Sequence, residues 1–254
     1  MTTDLDRPWQ GCRIAAFDLE TTGTDIQNDR IIEVGVVIFE EGEVVERWSQ
    51  LVDPGVPLPA ESTEVTGIQP EDLVGQPPLV DVLDDLFAQF ENTVLLAYNH
   101  EFDVGVLMSE LDRIGRSAQL PPCLDPFPFC WEHIRAKGLT RNAQLGTIAE
   151  YMEIPLDEAH RAVHDAEAAG RVMLELPNHA LLPDKLGEIL QVQRVLLQQV
   201  SERFNRFRRG RGEGRSMLSA GEVVIELGAA YVYGDEADPV RALFSRIPDV
   251  RDLS

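Results

Sequence analysis

"RIAAFDLETTG", Arg13–Gly23, begins as an apolar run of Ile14, Ala15, Ala16 and Phe17, then sets two carboxylates, Asp18 and Glu20, on either side of one leucine. A run of this length, closed by a Thr-Thr-Gly turn signal, has the pattern of a buried strand. Alternate residues of a strand share a face. Asp18 and Glu20 therefore lie together near the end of a core strand, and two like charges so placed are costly unless something neutralises them.

Outward from that strand, "RIIEVGVVIFEEGEVVERWSQLVDP" (30–54) reads as two more strands joined as a hairpin at "EEGE". Residues 55–78 are rich in Pro and Gly and read as loop with short helical pieces. Val82, Leu83, Leu86, Phe87 and Phe90 fall at helical spacing within 79–92. "TVLLAYN" (93–99) is again a buried strand, and 101–115, 142–154 and 161–176 read as helices. The order β-β-β-α-β-α-α-α implies one mixed α/β sheet covered by helices.

After Pro177 the pattern changes. Leu186, Leu190, Gln193, Leu197, Val200, Phe204 and Phe207 thread one long helix with a single apolar seam. "RRGRGEGRS" (208–216) is an Arg/Gly linker, and "GEVVIELGAAYVYG" (221–234) reads as one or two strands. The organisation expected is a globular domain over 10–178, an amphipathic helix over 179–208, a linker over 209–220 and a small β-containing tail over 221–254.

The chain of 254 residues is 44% hydrophobic, enough for one substantial core and an appendage. Three cysteines with no Cys-x-x-Cys pair point to a reducing compartment. The acidic N-terminus has no signal-peptide pattern, and no segment approaches the ~20 apolar residues of a membrane span. A cytoplasmic protein without a membrane partner is expected. The net charge is −22, and residues 1–180 carry all of it, with 33 acidic and 11 basic side chains. Such a domain lacks the basic footprint usual in nucleic-acid binders.

Two further clusters turn the opening pair into a site. "LLAYNHEFDVGVL" puts Asp103 at a helix start just after a core strand, and "AHRAVHDAEAAG" puts His160 five residues before Asp165 at another helix start. Singly, each acid is also explained by the helix dipole. Together, Asp18, Glu20, Asp103 and Asp165 offer hard oxygen ligands suited to Mg²⁺ or Mn²⁺. Two such ions form the arrangement that serves in-line phosphoryl displacement.

"FDLETTG", "NHEFD" and "HRAVHDA", in that order from Arg13 to Leu176, resemble the DEDDh branch of the DnaQ-like 3′–5′ exonucleases. "DRIIEVGVV", "VTGI" and "NAQLGTIAEYMEI" fit the same pattern. The resemblance implies an RNase H-like α/β fold over 10–178, with Asp18, Glu20, Asp103 and Asp165 holding two metal ions. It implies that His160 is the general base that activates the attacking water, and that nucleoside 5′-monophosphates leave from a 3′ end. It also marks Thr21, Thr22, Thr66, Ile68 and Phe102 as contacts to the substrate. His164, one turn from His160, is the competing base, and the five-residue spacing to the final Asp selects His160. An imidazole titrates near neutral pH, which suits proton abstraction.

Cys123, Cys130 and His133 lie close in sequence, but the spacing is not that of a zinc finger and lacks a fourth ligand. Small buried thiols in a Pro-rich loop are the preferred reading. Asp125 matches an Asp that relatives carry here. The substrate favoured is single-stranded DNA, with RNA trimming the alternative and a non-catalytic scaffold the rival class. Residues 179–254 are expected to form a homodimer or to contact a polymerase or another protein. Arg203, Arg206, Arg208, Arg209, Arg211 and Arg215 are either a backbone-binding arm or a solvated helix end.

Overall fold

A computed structural model of the protein describes residues 4–156 and 160–210, the side chains of 204–210 excepted. The chain divides into two compact units, residues 10–182, and residues 4–9 with 183 onward.

The first unit is built on β1 (Ile14–Thr21), β2 (Ile31–Glu40), β3 (Glu43–Leu51), β4 (Val94–Leu96) and β5 (Cys123–Leu124). Their spatial order is β3-β2-β1-β4-β5. β2 is antiparallel to both β1 and β3, whereas β4 runs parallel to β1 and β5 parallel to β4. This is the mixed α/β sheet the sequence led us to expect. Every residue of Ile31–Phe39 is buried, as befits a strand covered on both faces. The "EEGE" hairpin turns through Glu41 and Gly42 at φ 51° and 83°, the left-handed pair that a two-residue type I′ turn requires. β1 runs on through Thr21, and its pairing with β2 shifts register between Glu20 and Thr21. A bulge of this kind re-aims the side chains beside it.

Helices α1 (Ala60–Thr66), α2 (Leu79–Phe90), α3 (Glu101–Arg113), α4 (Pro126–Cys130), α5 (Leu145–Tyr151) and α6 (Ala162–Glu175) complete the unit. Two expectations need correction. The strand read over 93–99 is only three residues long, because the chain leaves the sheet and turns at Asn99, φ 61°. The Pro-rich segment read as loop instead holds β5, α4 and a five-residue π-turn, Trp131–Arg135. Asp125 caps α4 by accepting from the Phe127 N–H at 2.9 Å. Pro126 and Pro128 fall in the first turn, where a missing N–H costs nothing.

Gly35 of β2 lies under the start of α6. A Cβ built there would stand 2.2 Å from the Val163 nitrogen and 2.3 Å from the Ala162 carbonyl carbon. Backbone cannot swing aside as a side chain can, so Gly35→Ala must lift α6 from the sheet. The expected cost is roughly 1–3 kcal/mol of stability, read as a lowered denaturant midpoint.

In the second unit, the Trp9 indole donates to the Pro183 carbonyl at 3.0 Å, and the Leu186 N–H to the Arg7 carbonyl at 3.0 Å. Helix α7 (Leu186–Gly210) follows. Over residues 186–203 its buried residues are Leu186, Gly187, Ile189, Val192, Gln193, Leu196, Leu197, Val200 and Ser201, while Leu190 is half-buried; the side chains of Phe204 and Phe207 lie outside the described ones. The buried face thus follows the broader 3.6-residue stripe of a packed helix rather than the narrow 4-3 seam expected. The linker past Gly210 and the strands anticipated at 221–234 lie outside the described residues. No helix among the described residues is long and apolar enough to cross a membrane.

Candidate active site

Three elements deliver the four acidic residues. β1 carries Asp18 and Glu20. Asp103 sits in the first turn of α3, which follows β4, and its Oδ1 accepts the Leu19 N–H at 3.1 Å. That bond ties the helix to β1 between the two opening carboxylates. Asp165 sits in the first turn of α6, and its Oδ2 accepts the His160 N–H at 3.1 Å. The negative charges that bear on Asp18 are, in falling order, Asp103, Asp165, Glu20 and Glu33. The candidate metal acids from three distant stretches of sequence therefore converge.

Ligand atoms of Glu20, His160 and Asp165 all lie within 4.8 Å of one another. Asp165 Oδ1 is buried and has no hydrogen-bond partner. A buried acceptor left unpaired costs free energy comparable to a lost hydrogen bond, and the same carboxylate stands within 4.8 Å of a Glu20 oxygen. Both features fit a divalent cation. Among the described residues no comparable group forms around Cys123, Cys130 and His133. Burial pushes the thiols of Cys123 and Cys130 upward in pKa, away from the thiolate that zinc requires.

The electrostatics agree. Desolvation, then Asp103, Asp165, Glu20 and Glu33, hold the Asp18 carboxyl well above its ordinary pKa. Asp18 is nevertheless only half-buried, so an ion can reach it. Desolvation and the neighbouring carboxylates Asp165 and Glu33 raise Glu20 to about 8. Desolvation raises Asp103 to about 7, against the Leu19 N–H bond that lowers it. Between pH about 4 and about 8 the folded protein thus holds protons here that the unfolded chain has already lost. Stability falls with rising pH wherever the folded state binds more protons. The metal-free protein should therefore lose stability across this window, with the full penalty above about 8. Mg²⁺ favours the ionised carboxylates, so it should raise the thermal midpoint more at pH 8 than at pH 5. Scanning calorimetry with and without Mg²⁺ at the two pH values checks this.

His160 is exposed and has φ 67°, a left-handed conformation uncommon for a residue with a Cβ and often associated with functional sites. His164 is half-buried within α6, where its N–H donates to the Arg161 carbonyl at 2.9 Å. Only His160 of the two belongs to the group of convergent ligand atoms.

Sequence reasoning missed Glu33 and, though it marked Asp125, the pairing of Asp125 with His100. Glu33 is fully buried on β2 directly opposite Glu20. Its carboxylate accepts from Arg161 Nη2 at 2.9 Å and Nε at 3.1 Å, from Ser49 Oγ at 3.0 Å and from the Ala162 N–H at 3.3 Å. It thereby anchors the residue that joins His160 to α6. A single Glu within "RIIEVGVVIF" was the available signal. The second support is His100–Asp125: Asp125 accepts from His100 Nδ1 at 2.9 Å, the Asn99 N–H at 2.9 Å and the His100 N–H at 3.2 Å. This fixes the turn that launches α3 with Asp103.

Of the candidate substrate contacts, Phe102 is half-exposed. The Thr21 hydroxyl donates to the Gly23 carbonyl at 2.5 Å. The Thr22 hydroxyl donates to Asp29 Oδ1 and accepts from the Arg30 N–H, both at 2.9 Å. The Thr66 hydroxyl donates to the Ser62 carbonyl at 2.9 Å and accepts from the Ile68 N–H at 3.2 Å. Ile68 is buried with Ile32 and Leu73.

Residues 15–173 match the RNase T family model, described as an exonuclease. The chain is 36% identical over 160 residues to the PolC-type DNA polymerase III of Clostridium perfringens, covering 62% of this chain and 11% of that one. With the PolC-type enzyme of Streptococcus pyogenes serotype M18 it shares 31% identity over 188 residues, 73% of this chain and 12% of the polymerase. The chain thus spans a small fraction of the length of these relatives. Its fold resembles exonuclease X in complex with 5′-overhanging duplex DNA, with TM-score 0.54 and 18% identity over 70% of this chain and 98% of that one. It also resembles Escherichia coli exonuclease I in complex with a dT13 oligonucleotide, with TM-score 0.56 and 18% identity over 65% of this chain and 40% of that one.

Proposed function

Because the chain belongs to the exonuclease family, we propose that it hydrolyses nucleotides one at a time from the 3′ end of single-stranded DNA. The observation that carries this reading is the meeting of Glu20, His160 and Asp165 within 4.8 Å, beside Asp18 and Asp103. In this reading Asp18, Glu20, Asp103 and Asp165 hold the divalent cations, Mg²⁺ or Mn²⁺, two to a site. When bound, such ions stabilise the charge that builds on the phosphoryl oxygens.

His160 takes the proton from the attacking water at its imidazole nitrogen. Its exposure lets it reach solvent, and its N–H bond to Asp165 keeps it at the cluster. The terminal nucleotide is contacted by Phe102 and by the segments Thr21–Thr22 and Thr66–Ile68. An aromatic face serves any base by stacking and needs no positive charge, which suits a domain this acidic.

Both named structural neighbours are exonucleases in complex with DNA, and the PolC-type relatives are DNA polymerases. These support DNA over RNA, and a proofreading or repair setting. Digestion of single-stranded DNA, a duplex with a mismatched 3′ end and a short RNA, side by side, tests the assignment. Both DNAs should be shortened faster than the RNA, and the reverse order would make the protein an exoribonuclease. For residues 179–254 we propose contact with a second copy or with a polymerase. Sedimentation of the full chain at micromolar concentration should show a dimer, and a monomer would leave the polymerase contact.

A further inference from the structure

Side chains able to meet a phosphate are scarce in the first unit, because most of its cations are already engaged. Arg30 and Arg113 share Glu110, Arg47 and Arg171 share Glu167, and Arg161 holds Glu33. Arg13 lies 3.0 Å from Glu40 and Arg116 2.9 Å from Asp84. The basic side chains left between residues 10 and 182 are Arg135, Lys137 and Arg141, which make no ion pair among the described residues. They fall in one seven-residue stretch, "RAKGLTR". Lys137 and Arg141 are exposed, and Arg135 is half-buried.

The stretch has a defined shape. It leaves the π-turn through Gly138 at φ 77°, with the Leu139 N–H donating to the Ile134 carbonyl at 3.2 Å and the Gly138 N–H to the Arg135 carbonyl at 3.0 Å. Its far end is tied to the site's own scaffold. The Tyr98 hydroxyl donates to the Ala143 carbonyl at 2.7 Å, and Tyr98 lies on the segment that leads from β4 to Asp103. Tyr98 also packs edge-on against Phe127, which meets Trp131 of the π-turn. Both ends of the stretch are thus anchored to the turn that delivers a metal-site carboxylate. Leu139, 53% exposed between the cations, offers an apolar surface for a base.

We propose that residues 135–141 grip the sugar–phosphate backbone of a single strand upstream of its 3′ end, with Lys137 and Arg141 on phosphates. The assignment rests on the exonuclease reading above. It explains how a unit of this net charge holds a polyanion: the metal site takes the last phosphodiester, and one loop of unpaired cations takes the strand behind it. Each phosphate contact contributes a fixed share to the salt dependence of binding.

The test uses the full chain with Lys137→Ala/Arg141→Ala, and Arg116→Ala as a control cation paired elsewhere. Both loop side chains are exposed, so the thermal midpoint should stay within about 1–2 °C. Affinity for a short oligothymidylate, measured by fluorescence anisotropy with Ca²⁺ in place of Mg²⁺, should fall on the order of tenfold. The slope of log K against log salt should flatten by about 0.7 per contact removed. Hydrolysis of the p-nitrophenyl ester of thymidine 5′-monophosphate, which has no upstream phosphate, should be unchanged. An unaltered slope and affinity, or an equal loss in Arg116→Ala, would overturn the loop assignment and leave the exonuclease reading standing. Failure of the unmodified protein to hydrolyse both the ester and the oligonucleotide would instead remove the reading on which it rests.

Discussion

Asp18→Ala should lower kcat by at least about 10³-fold, since a catalytic metal is worth several kcal/mol of transition-state stabilisation. The same substitution should raise the thermal midpoint of the metal-free protein. Asp18 is held well above its ordinary pKa, chiefly by desolvation and by Asp103, so burying this carboxyl costs the apo fold stability near neutral pH, where the unfolded chain carries it ionised in water. Each kcal/mol relieved raises the midpoint of a domain this size by about 2–4 °C. Asp103→Ala should be equally inactive but not stabilised. Its Oδ1 accepts the buried Leu19 N–H, and leaving that donor unpaired costs about 1–3 kcal/mol. Asp103→Asn, which keeps the acceptor, should be inactive and stable. Activity and calorimetry on the three variants check both halves. A rise in Asp103→Ala equal to that in Asp18→Ala would show that the Leu19 bond carries no weight.

His160→Ala should lose about 10²–10⁴-fold in kcat, the usual worth of general-base help, while His164→Ala loses little. His160 lies among the convergent ligand atoms, so a role as a metal ligand is the reading to separate from proton transfer. Loss of a ligand would weaken metal binding, and loss of a base would not. Titration of kcat with Mg²⁺ should give the same half-saturating concentration in His160→Ala as in the unmodified protein. A large rise in that concentration would make His160 a ligand, and a larger loss in His164→Ala would exchange their roles.

The carboxylate pair was legible from "FDLE" because strand periodicity is local: one leucine between two acids puts both on one face whatever the rest of the chain does. The hairpin was legible for the same reason, as "EEGE" carries the turn's own left-handed requirement. Glu33 was not. Its burial depends on the register that sets it opposite Glu20 and on Arg161, which is remote in sequence. Nothing in "RIIEVGVVIF" encodes either. β5 escaped because two residues hold no period, and α4 because its prolines read as loop until Asp125 is seen capping it. Helix α7 was recognised, but its buried face was drawn too narrow, because apolar spacing alone fixes the stripe only to within a residue or so. The loop 135–141 had no signal at all. Its cations stand out only once the others are found paired.

The account's central claim is tested most directly by digesting one single-stranded DNA labelled at its 5′ end, and separately at its 3′ end, with the full chain and Mg²⁺. The 5′-labelled strand should shorten in single-nucleotide steps, and the 3′ label should leave at once as a nucleoside 5′-monophosphate. Both should stop with a chelator and in Asp18→Ala. Internal cuts, release from the 5′ end, or undiminished digestion by a folded Asp18→Ala protein would contradict it.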